Sequence, residues 1–266
     1  MGQKTNSNIF RLGVKNTEWV SKYQEINPEE STFLVNNDLE IRNYINRIFE
    51  INGLIINSCK IRYNKTNINI YVTYYVLEQF NINLNNNNSK NLINFLNSLA
   101  ISLNIFVKNN YNTSIKLKTK NLNKKLVKQG KNNTFRNLIK KLRKFSKNII
   151  FKDLINILLI TVTQTNSSRL LSEFIAIQMK KNKKHNFFLS FLKKVLTEFL
   201  NVNFSKIKGI KIVINGRFNG APRSRKKIIQ LGSIPLQSFN SKISYNQSIS
   251  YTNNGTFGIN VWVCEK

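Results

Sequence analysis

Apolar and polar positions change their period along residues 37–115, which indicates a mixed α+β module. Apolar side chains recur at helical spacing over Asp38–Glu50, where Asn37 or Asp38 can cap the start and Gly53 can close the end. Alternation then predicts strands at 55–63 and 68–76, a polar loop at 84–90, a helix at 90–103 and a strand at 114–118. The order helix, two strands, helix, strand predicts one compact domain over residues 37–115.

A second α+β domain is predicted for residues 166–266. Apolar side chains at helical spacing predict a helix that begins at Ser167 or Ser168, and a second helix with Phe188 and Phe199 on its buried face. Alternating stretches at 210–214, 243–251 and 257–263 then predict strands. We expect two helices to cover one face of an antiparallel sheet.

The remaining segments are polar or basic. Residues 1–36 form an N-terminal arm, which is either a frayed terminus or a tail that orders on RNA. Residues 116–165 form a Lys/Asn-rich insertion, and 116–152 hold fourteen lysines and arginines without an acidic residue. Helical spacing over Phe135–Phe145 predicts a basic helix in part of it, and a disordered linker is the alternative.

The formal net charge of +30 calls for an anionic partner. Nucleic acid is the first candidate, because its phosphates bind many dispersed cations with release of counterions. A membrane is not expected, because the longest apolar run, 149–162, is short and contains Lys152 and Asp153. The heavy use of Asn, Lys, Ile, Phe and Tyr matches A/T-rich codons and suggests an organellar gene.

The chain has few of the side chains that catalysis or metal binding requires. There is one histidine, His185, which we expect on the polar surface, and the acidic residues are sparse and unclustered. Cys59 and Cys264 lie in apolar, strand-like contexts and have no metal-ligand spacing. We therefore predict no enzyme activity, no cofactor and no metal.

Two basic clusters are candidate contacts for a polyanion. The first follows a strand that ends in the glycine-flanked turn Gly216–Ala221, and consists of Arg217, Arg223, Arg225, Lys226 and Lys227. Glycine lets a backbone approach closely, and guanidinium groups pair bidentately with phosphate oxygens. The second lies around the two helices and consists of Lys180, Lys181, Lys183, Lys184, Lys193 and Lys194. A solvated turn between helices is the alternative explanation for Lys180–Lys184.

The element order of residues 37–115 resembles the prokaryotic-type K-homology (KH) module. That family clamps a nucleic-acid backbone with a Gly-x-x-Gly loop between the second strand and the next helix. Here no glycine occurs between Gly53 and Gly130, and the run Asn85–Asn88 occupies the loop position. We expect a degenerate KH-like domain that keeps the fold and lacks the clamp.

Motifs at both ends resemble the universal small-subunit ribosomal protein three family. They are Met1-Gly2-Gln3-Lys4 with Arg11-Leu12-Gly13, the turn Gly216–Ala221, Ile234-Pro235-Leu236 and Gly258–Trp262. The resemblance implies a structural constituent of the small ribosomal subunit that binds rRNA in the head and lines the mRNA entry channel. It implies head proteins of the ten and fourteen families as neighbours. A free RNA-binding or RNA-processing factor outside the ribosome is the alternative.

The resemblance also implies roles for individual residues. The rRNA contacts are expected at Gln3, Lys4, Arg11, Arg217, Arg223, Arg225, Lys226 and Lys227. The mRNA-entry candidates are Lys180, Lys181, Lys183, Lys184, Lys193 and Lys194. Lys193 and Lys194 match the family's basic positions, whereas the basic pair expected after Phe188 is replaced by Leu189-Ser190.

The insertion 116–152 is similar to lineage-specific insertions of mitochondrial members, so a lineage-specific ribosomal protein is a further expected partner. The family's opening motif begins at Met1, so we expect no import presequence and synthesis inside the organelle. Mitochondrion is the expected location and plastid the alternative.

Overall fold

The chain folds into two compact α+β units, as the sequence predicts. The computed structural model describes residues 5–14, 19–64, 66–77, 88–111, 113–123, 140, 142, 150–182, 184–201 and 205–266. One unit, here the KH-like unit, comprises Glu18–Leu122; the other, the C-terminal unit, comprises Met1–Thr17 and Asn123–Lys266. None of the described helices has the length and apolar content that a bilayer crossing requires.

The KH-like unit packs two helices on a four-stranded mixed sheet. Its elements are β1 (Ser21–Lys22), α2 (Glu30–Ile51), β2 (Leu54–Tyr63), β3 (Asn67–Val76), α3 (Asn88–Tyr111) and β4 (Ser114–Asn121). The strands lie in the order β1-β2-β3-β4, with β2 and β3 antiparallel and the outer pairs parallel. The core contains the alternating side chains of β3 that the pattern assigns to one face, Ile68, Ile70, Val72 and Tyr74.

Helix α2 begins eight residues earlier than the apolar periodicity predicts. It starts at Glu30, while Asn37 and Asp38, the expected caps, are buried inside the helix. The expected end is correct: Gly53 has φ +67° and its N–H donates to the carbonyl of Glu50. The first two turns carry no periodic apolar stripe because most of their side chains are exposed.

Arg42 fastens α2 to two strands of the KH-like unit. Its Nε pairs with Asp38 Oδ2 at 2.7 Å, its NH1 donates to the Cys59 carbonyl at 2.7 Å, and its NH2 donates to Ser21 Oγ at 3.0 Å. The Arg42 guanidinium therefore stabilises the packing of α2 on β1 and β2, through hydrogen bonds within its own unit. Of the run Asn85–Asn88 at the position of the Gly-x-x-Gly clamp, residues 85–87 lie outside the described residues and Asn88 begins α3.

The C-terminal unit contains a four-stranded antiparallel sheet. Its strands are β5 (Ile207–Gly216), β6 (Arg225–Gly232), β7 (Ile243–Thr252) and β8 (Gly255–Glu265), in the order β6-β5-β8-β7. Two helices, α5 (Ser168–Lys181) and α6 (His185–Leu200), cover one face, which confirms the predicted architecture. Side chains of β7 fasten α5, because Ser248 Oγ and Ser250 Oγ donate to the carbonyls of Ser172 and Ala176.

A further helix, α4 (Ile150–Thr163), belongs to the C-terminal unit and packs against α5 and α6. Its residues from Leu154 to Val162 are almost all buried, on every side of the helix. A helix covered all round shows no amphipathic stripe. The sequence-based boundary at residue 165, which assigns this stretch to the basic insertion, therefore differs from the structure. The boundary at 115 differs too, since β4 continues to Asn121.

Candidate RNA-binding surface

The turn after β5 is built so that Arg217 stays outside while its neighbours are buried. A Cβ on Gly216 would overlap the ring of Phe257, whose Cγ lies 2.9 Å away, so the close approach requires glycine. Phe218 is buried against the same ring, with centroids 5.3 Å apart. Asn219 and Gly220 then adopt φ of +53° and +76°, which reverses the chain.

Arg217 is exposed and held by its own turn. Its Nε donates to the Ala221 carbonyl at 2.8 Å, which fixes the plane of the guanidinium. Among the described residues, no hydrogen-bond acceptor is paired with its two terminal amino groups. An oriented guanidinium with free donors suits a phosphate, whose oxygens accept two parallel hydrogen bonds.

The β5–β6 pairing brings the other basic residues to the same end of the sheet. Gly216 is paired with Arg225, Asn215 with Lys226 and Ile214 with Lys227. Arg223, Arg225 and Lys226 are exposed, and Lys227 is partly exposed. We call these four residues, together with Arg217, the arginine strip. No acidic residue occurs between Glu198 and Glu265, so no carboxylate of the intervening sequence neutralises the strip.

Lys227 connects the strip to the start of α6. Its Nζ is hydrogen bonded to Asn186 Oδ1 and lies 4.6 Å from the centroid of the Phe218 ring. The four other members of the strip are exposed. Lys227 is only partly exposed, because its ammonium group contacts Asn186 and the Phe218 ring.

His185 is a buried connector between α6 and the turn, which corrects the expectation of a surface residue. It is 3% exposed, and its ring contacts Phe257 at a centroid distance of 5.0 Å. Its backbone N–H donates to Asn219 Oδ1 at 3.1 Å, and its Nδ1 accepts from the Asn219 N–H at 3.3 Å. The reciprocal pair fixes the turn that carries Arg217.

The hydrogen bond that Nδ1 of His185 accepts fits the neutral form of the ring. Burial lowers its pKa below the ordinary value of 6.5, and the charge of Lys227 lowers it further, against a backbone hydrogen bond to Met179 that raises it. A neutral ring with Nδ1 as acceptor carries its proton on Nε2. The one histidine of the chain therefore serves structure and does not add to the positive charge.

The lysine cluster, defined as Lys180, Lys181 and Lys184, lies next to the arginine strip. All three are exposed, at the end of α5 and the start of α6. The contacts of Lys227 with Asn186 and of Asn219 with His185 join the two groups. The structure thus brings the two clusters together, although the sequence separates them by more than thirty residues. Lys183 lies outside the described residues.

Lys193 and Lys194 lie farther along α6 on its exposed side. Their neighbours Phe191, Leu192 and Val195 are buried, as the helical spacing predicts. The rise of a helix places Lys193 about 12 Å beyond His185. These two lysines are therefore exposed on α6 at a distance from the arginine strip.

Arg11 is placed differently from the expectation of an rRNA contact. It is 0% exposed, its NH1 donates to the Ser7 carbonyl, and its NH2 donates to the carbonyls of Pro235, Leu236 and Ser238 at 2.8–3.2 Å. A guanidinium enclosed by backbone carbonyls is not presented to a phosphate. The arm from Ser7 to Phe10, helix α1, thereby docks on the C-terminal unit. Gln3 and Lys4 lie outside the described residues.

Sequence reasoning missed Arg11, His185 and Asn219 as structural residues. An arginine in a polar arm gives no signal of burial, because three of its four acceptors lie more than two hundred residues away. The left-handed Asn219 had one local signal, since asparagine before glycine favours a turn with positive φ. Within the described residues, no group of three or more His, Cys, Asp or Glu side chains is arranged to hold a metal ion.

Comparisons with known proteins show what this chain is similar to. The family model "Ribosomal protein S3, C-terminal domain" matches residues 177–263, which include α6, the arginine strip and the sheet up to Val263 in β8. The Alder yellows phytoplasma protein "Small ribosomal subunit protein uS3" is 27% identical over 98% of this chain and 82% of its own length. The Euglena longa protein "Small ribosomal subunit protein uS3c" is 28% identical over 99% of both chains.

A Karelsulcia muelleri protein, also named "Small ribosomal subunit protein uS3", is 37% identical over a shorter match of 94 residues. The C-terminal match and the two near-full-length relatives all carry the name of ribosomal protein S3 or uS3. The chain is therefore similar over nearly its whole length to proteins named uS3, and its residues 177–263 match the C-terminal domain of ribosomal protein S3.

Proposed function

We propose that this chain is a structural constituent of an organellar small ribosomal subunit and binds small-subunit rRNA through the arginine strip. The observation that carries the proposal is the Arg217 turn, in which glycine, a buried phenylalanine and the His185–Asn219 pair together present one oriented guanidinium. The similarity to ribosomal proteins uS3 supports a structural, non-enzymatic role, in line with the sequence-based prediction.

The chemistry of the strip suits the rRNA backbone better than base edges. Arg217, Arg223 and Arg225 are spaced along a turn and a strand end, so they can contact successive phosphates. Phosphate contacts set the position and orientation of a protein on RNA and carry little sequence information. Specificity then comes from the shape of the folded rRNA and from neighbouring proteins, for which the head proteins of the ten and fourteen families are our candidates.

The lysine cluster together with Lys193 and Lys194 is our candidate for the surface along mRNA at the entry channel. These lysines lie on the exposed side of α5 and α6, and no acidic residue occurs from Ile175 to Thr197. Dispersed ammonium groups bind the phosphates of a moving RNA strand without selecting for its sequence. The insertion 116–152 is proposed to contact a lineage-specific protein or rRNA.

We place the ribosome in a mitochondrion, with a plastid as the second candidate. The A/T-rich codon signature and the basic insertion support an organelle-encoded gene. Fractionation of the source cells tests this: co-purification of the chain with plastid ribosomes, and not with mitochondrial ribosomes, would decide for the second candidate.

Salt-dependent binding of the purified chain to its small-subunit rRNA tests the strip. The double variant Arg223→Gln/Arg225→Gln removes two exposed cations, and the slope of log affinity against log salt should become shallower by roughly 0.7–0.9 per lost contact. The matched control is Lys206→Gln/Lys208→Gln, which removes two exposed cations at the other end of β5. Equal slope changes in both variants would contradict a localised site.

Co-sedimentation separates a ribosomal constituent from a free RNA-binding or RNA-processing factor. A constituent should be recovered almost completely with small subunits at moderate salt. Recovery in the ribosome-free supernatant would favour the alternative.

A further inference from the structure

The C-terminal sheet has an outer face that its helices leave open. Helices α5 and α6 cover the other face, and at one end α1 and the segment 233–241 cover the outer face. There Phe10 stacks on Phe239 with centroids 4.1 Å apart, and Cys264 is fully buried. Beyond this end the outer face is open among the described residues of the C-terminal unit at Gly258, where a Cβ would meet no atom within 4 Å.

Aromatic rings lie at both ends of the open part. Tyr245 and Trp262 are cross-strand partners with ring centroids 5.1 Å apart, and the Lys211 ammonium lies 5.7 Å from the Trp262 ring. Tyr251 is 68% exposed, six residues along the same strand, which corresponds to about 20 Å. The face therefore presents flat π surfaces separated by a glycine-lined centre.

The side chains between these rings are mostly cationic or amide, with the aliphatic Val213, which is 4% exposed, and Ile249 among them. Lys211 and Lys226 contribute charge, and Asn215 and Asn260 contribute donors and acceptors, with Asn260 accepting a hydrogen bond from the Tyr245 hydroxyl at 3.0 Å. None of the outward positions on the four strands is acidic. The chemistry complements a ligand that has flat rings, hydrogen-bonding edges and negative charge.

A protein partner fits the face less well than RNA. The two exposed aliphatic side chains, Ile228 and Ile249, lie on β6 and β7, the outermost strands. Ile228 pairs with the buried Val213, and Asn260 and Gly258 of β8 lie between this pair and β7. An apolar partner helix needs a continuous stripe, which this arrangement does not offer. Gly258 instead lets a planar base approach the backbone.

We infer that the outer face of the C-terminal sheet, from Trp262 to Tyr251, binds unpaired RNA bases by stacking. Lys226 belongs both to this face and to the arginine strip, so an RNA segment held by its phosphates on the strip can place unpaired bases on the face. The inference rests on the proposed RNA-binding function and assigns its site for bases, whereas the strip binds phosphates. Stacking on aromatic side chains is tolerant of sequence because every base has a π face.

Trp262 reports on this site directly. The chain has two tryptophans, so in a Trp19→Phe background the fluorescence comes from Trp262 alone. We expect quenching of Trp262 by a single-stranded oligouridine of about twelve nucleotides and little quenching by a blunt RNA duplex of equal length at the same salt. Equal quenching by both would overturn the inference, because phosphate contacts alone do not distinguish the two.

Variants of exposed rings test the energetics without disturbing the core. Tyr251→Ala should weaken binding of the oligouridine roughly 5- to 150-fold, the equivalent of about 1–3 kcal/mol for one lost stacking contact. Tyr251→Phe should retain most of the affinity, because the ring remains. The matched control is Phe33→Ala, which removes a 65% exposed ring from the KH-like unit and should leave the affinity unchanged. Unchanged affinity in Tyr251→Ala would overturn the inference.

A photo-crosslinker in place of Tyr251 in assembled small subunits identifies what the face touches. A crosslink to RNA supports the inference, and a crosslink only to protein overturns it. The proposed function has a separate readout: it fails if the unmodified chain does not sediment with small subunits. Normal sedimentation with no effect of the Tyr251 variant would overturn the base-stacking site alone.

Discussion

Replacing Arg11 by methionine should destabilise the C-terminal unit and leave the phosphate contacts intact. The side chain is 0% exposed and donates to four backbone carbonyls, one in α1 and three in the segment 235–238. Methionine fills a similar volume but leaves these carbonyls without their donors. The perturbation therefore separates a structural arginine from an RNA-binding one.

The expected magnitude is the balance of two effects. Four lost hydrogen bonds, each with a net worth of about 1–2 kcal/mol, would cost about 4–8 kcal/mol. Burial of the guanidinium also carries a desolvation penalty, which lowers the pKa of Arg11, and methionine removes that penalty. If the relief amounts to a few kcal/mol, the net loss is about 2–4 kcal/mol.

Urea denaturation followed by circular dichroism and by Trp262 fluorescence in the Trp19→Phe background measures the loss. Arg11→Lys should recover only part of it, because one ammonium group cannot reach all four carbonyls. Lys208→Met is the control for removing a cation of the same unit, and should change the midpoint little because Lys208 is exposed. An unchanged midpoint in Arg11→Met, with a salt slope for rRNA binding shallower by about one contact, would refute the reasoning.

Three further predictions concern the turn and the helices. Gly216→Ala should lower the unfolding free energy of the unit by about 1–3 kcal/mol through overlap with a β8 ring, whereas Gly258→Ala, with open space, should be much milder; equal thermal midpoints would contradict this. Because burial lowers the folded-state pKa of His185, the unfolded state binds more protons, so stability should fall as pH drops through and below 6.5; His185→Gln should remove this dependence in urea midpoints at pH 5 and 7.5. Replacing Lys193 and Lys194 by alanine in reconstituted subunits should slow unwinding of a structured mRNA with initiation on an unstructured mRNA unchanged; unaltered unwinding would remove them from the entry channel.

Periodicity was sufficient for elements that have one exposed and one buried face. Strands β2 to β5, β7 and β8 and the helices α5 and α6 have one buried and one exposed face, so the sequence predicted them in the right order. It did not predict the two-residue strand β1, or β6, in which Ile229 is buried and most other residues are exposed. The same rule failed for α4, which is covered on all sides, and for the first turns of α2, which are largely exposed. For α2 another signal was present: Asn27-Pro28-Glu29-Glu30 places proline and acidic residues where a helix begins.

The sequence predicted the cations of the candidate site. It did not predict the neutral residues that hold these cations in position. Lysines and arginines without nearby acidic residues stand out in a sequence, and the glycines around Arg217 mark a turn. That His185 and Asn219 hold each other, and that Lys227 reaches Asn186, depends on contacts across more than thirty residues. Local sequence carries no information on such contacts, so neutral connectors appear only in the folded chain.

The structure divides the cations of this chain into two classes, and the division explains how one protein can be both strongly basic and compact. Arg11 and Arg42 have their donors engaged by backbone carbonyls and side chains of their own unit, so they stabilise the fold through contacts that salt screens weakly. Arg217, Arg223 and Lys226 are exposed and repel one another until an anion arrives. Added salt should thus relieve repulsion in the free protein while it weakens RNA binding. The rigid turn around Gly216 and His185 gives the second class a fixed geometry, because a strip that rearranged freely under its own repulsion would lose the spacing that successive phosphates require.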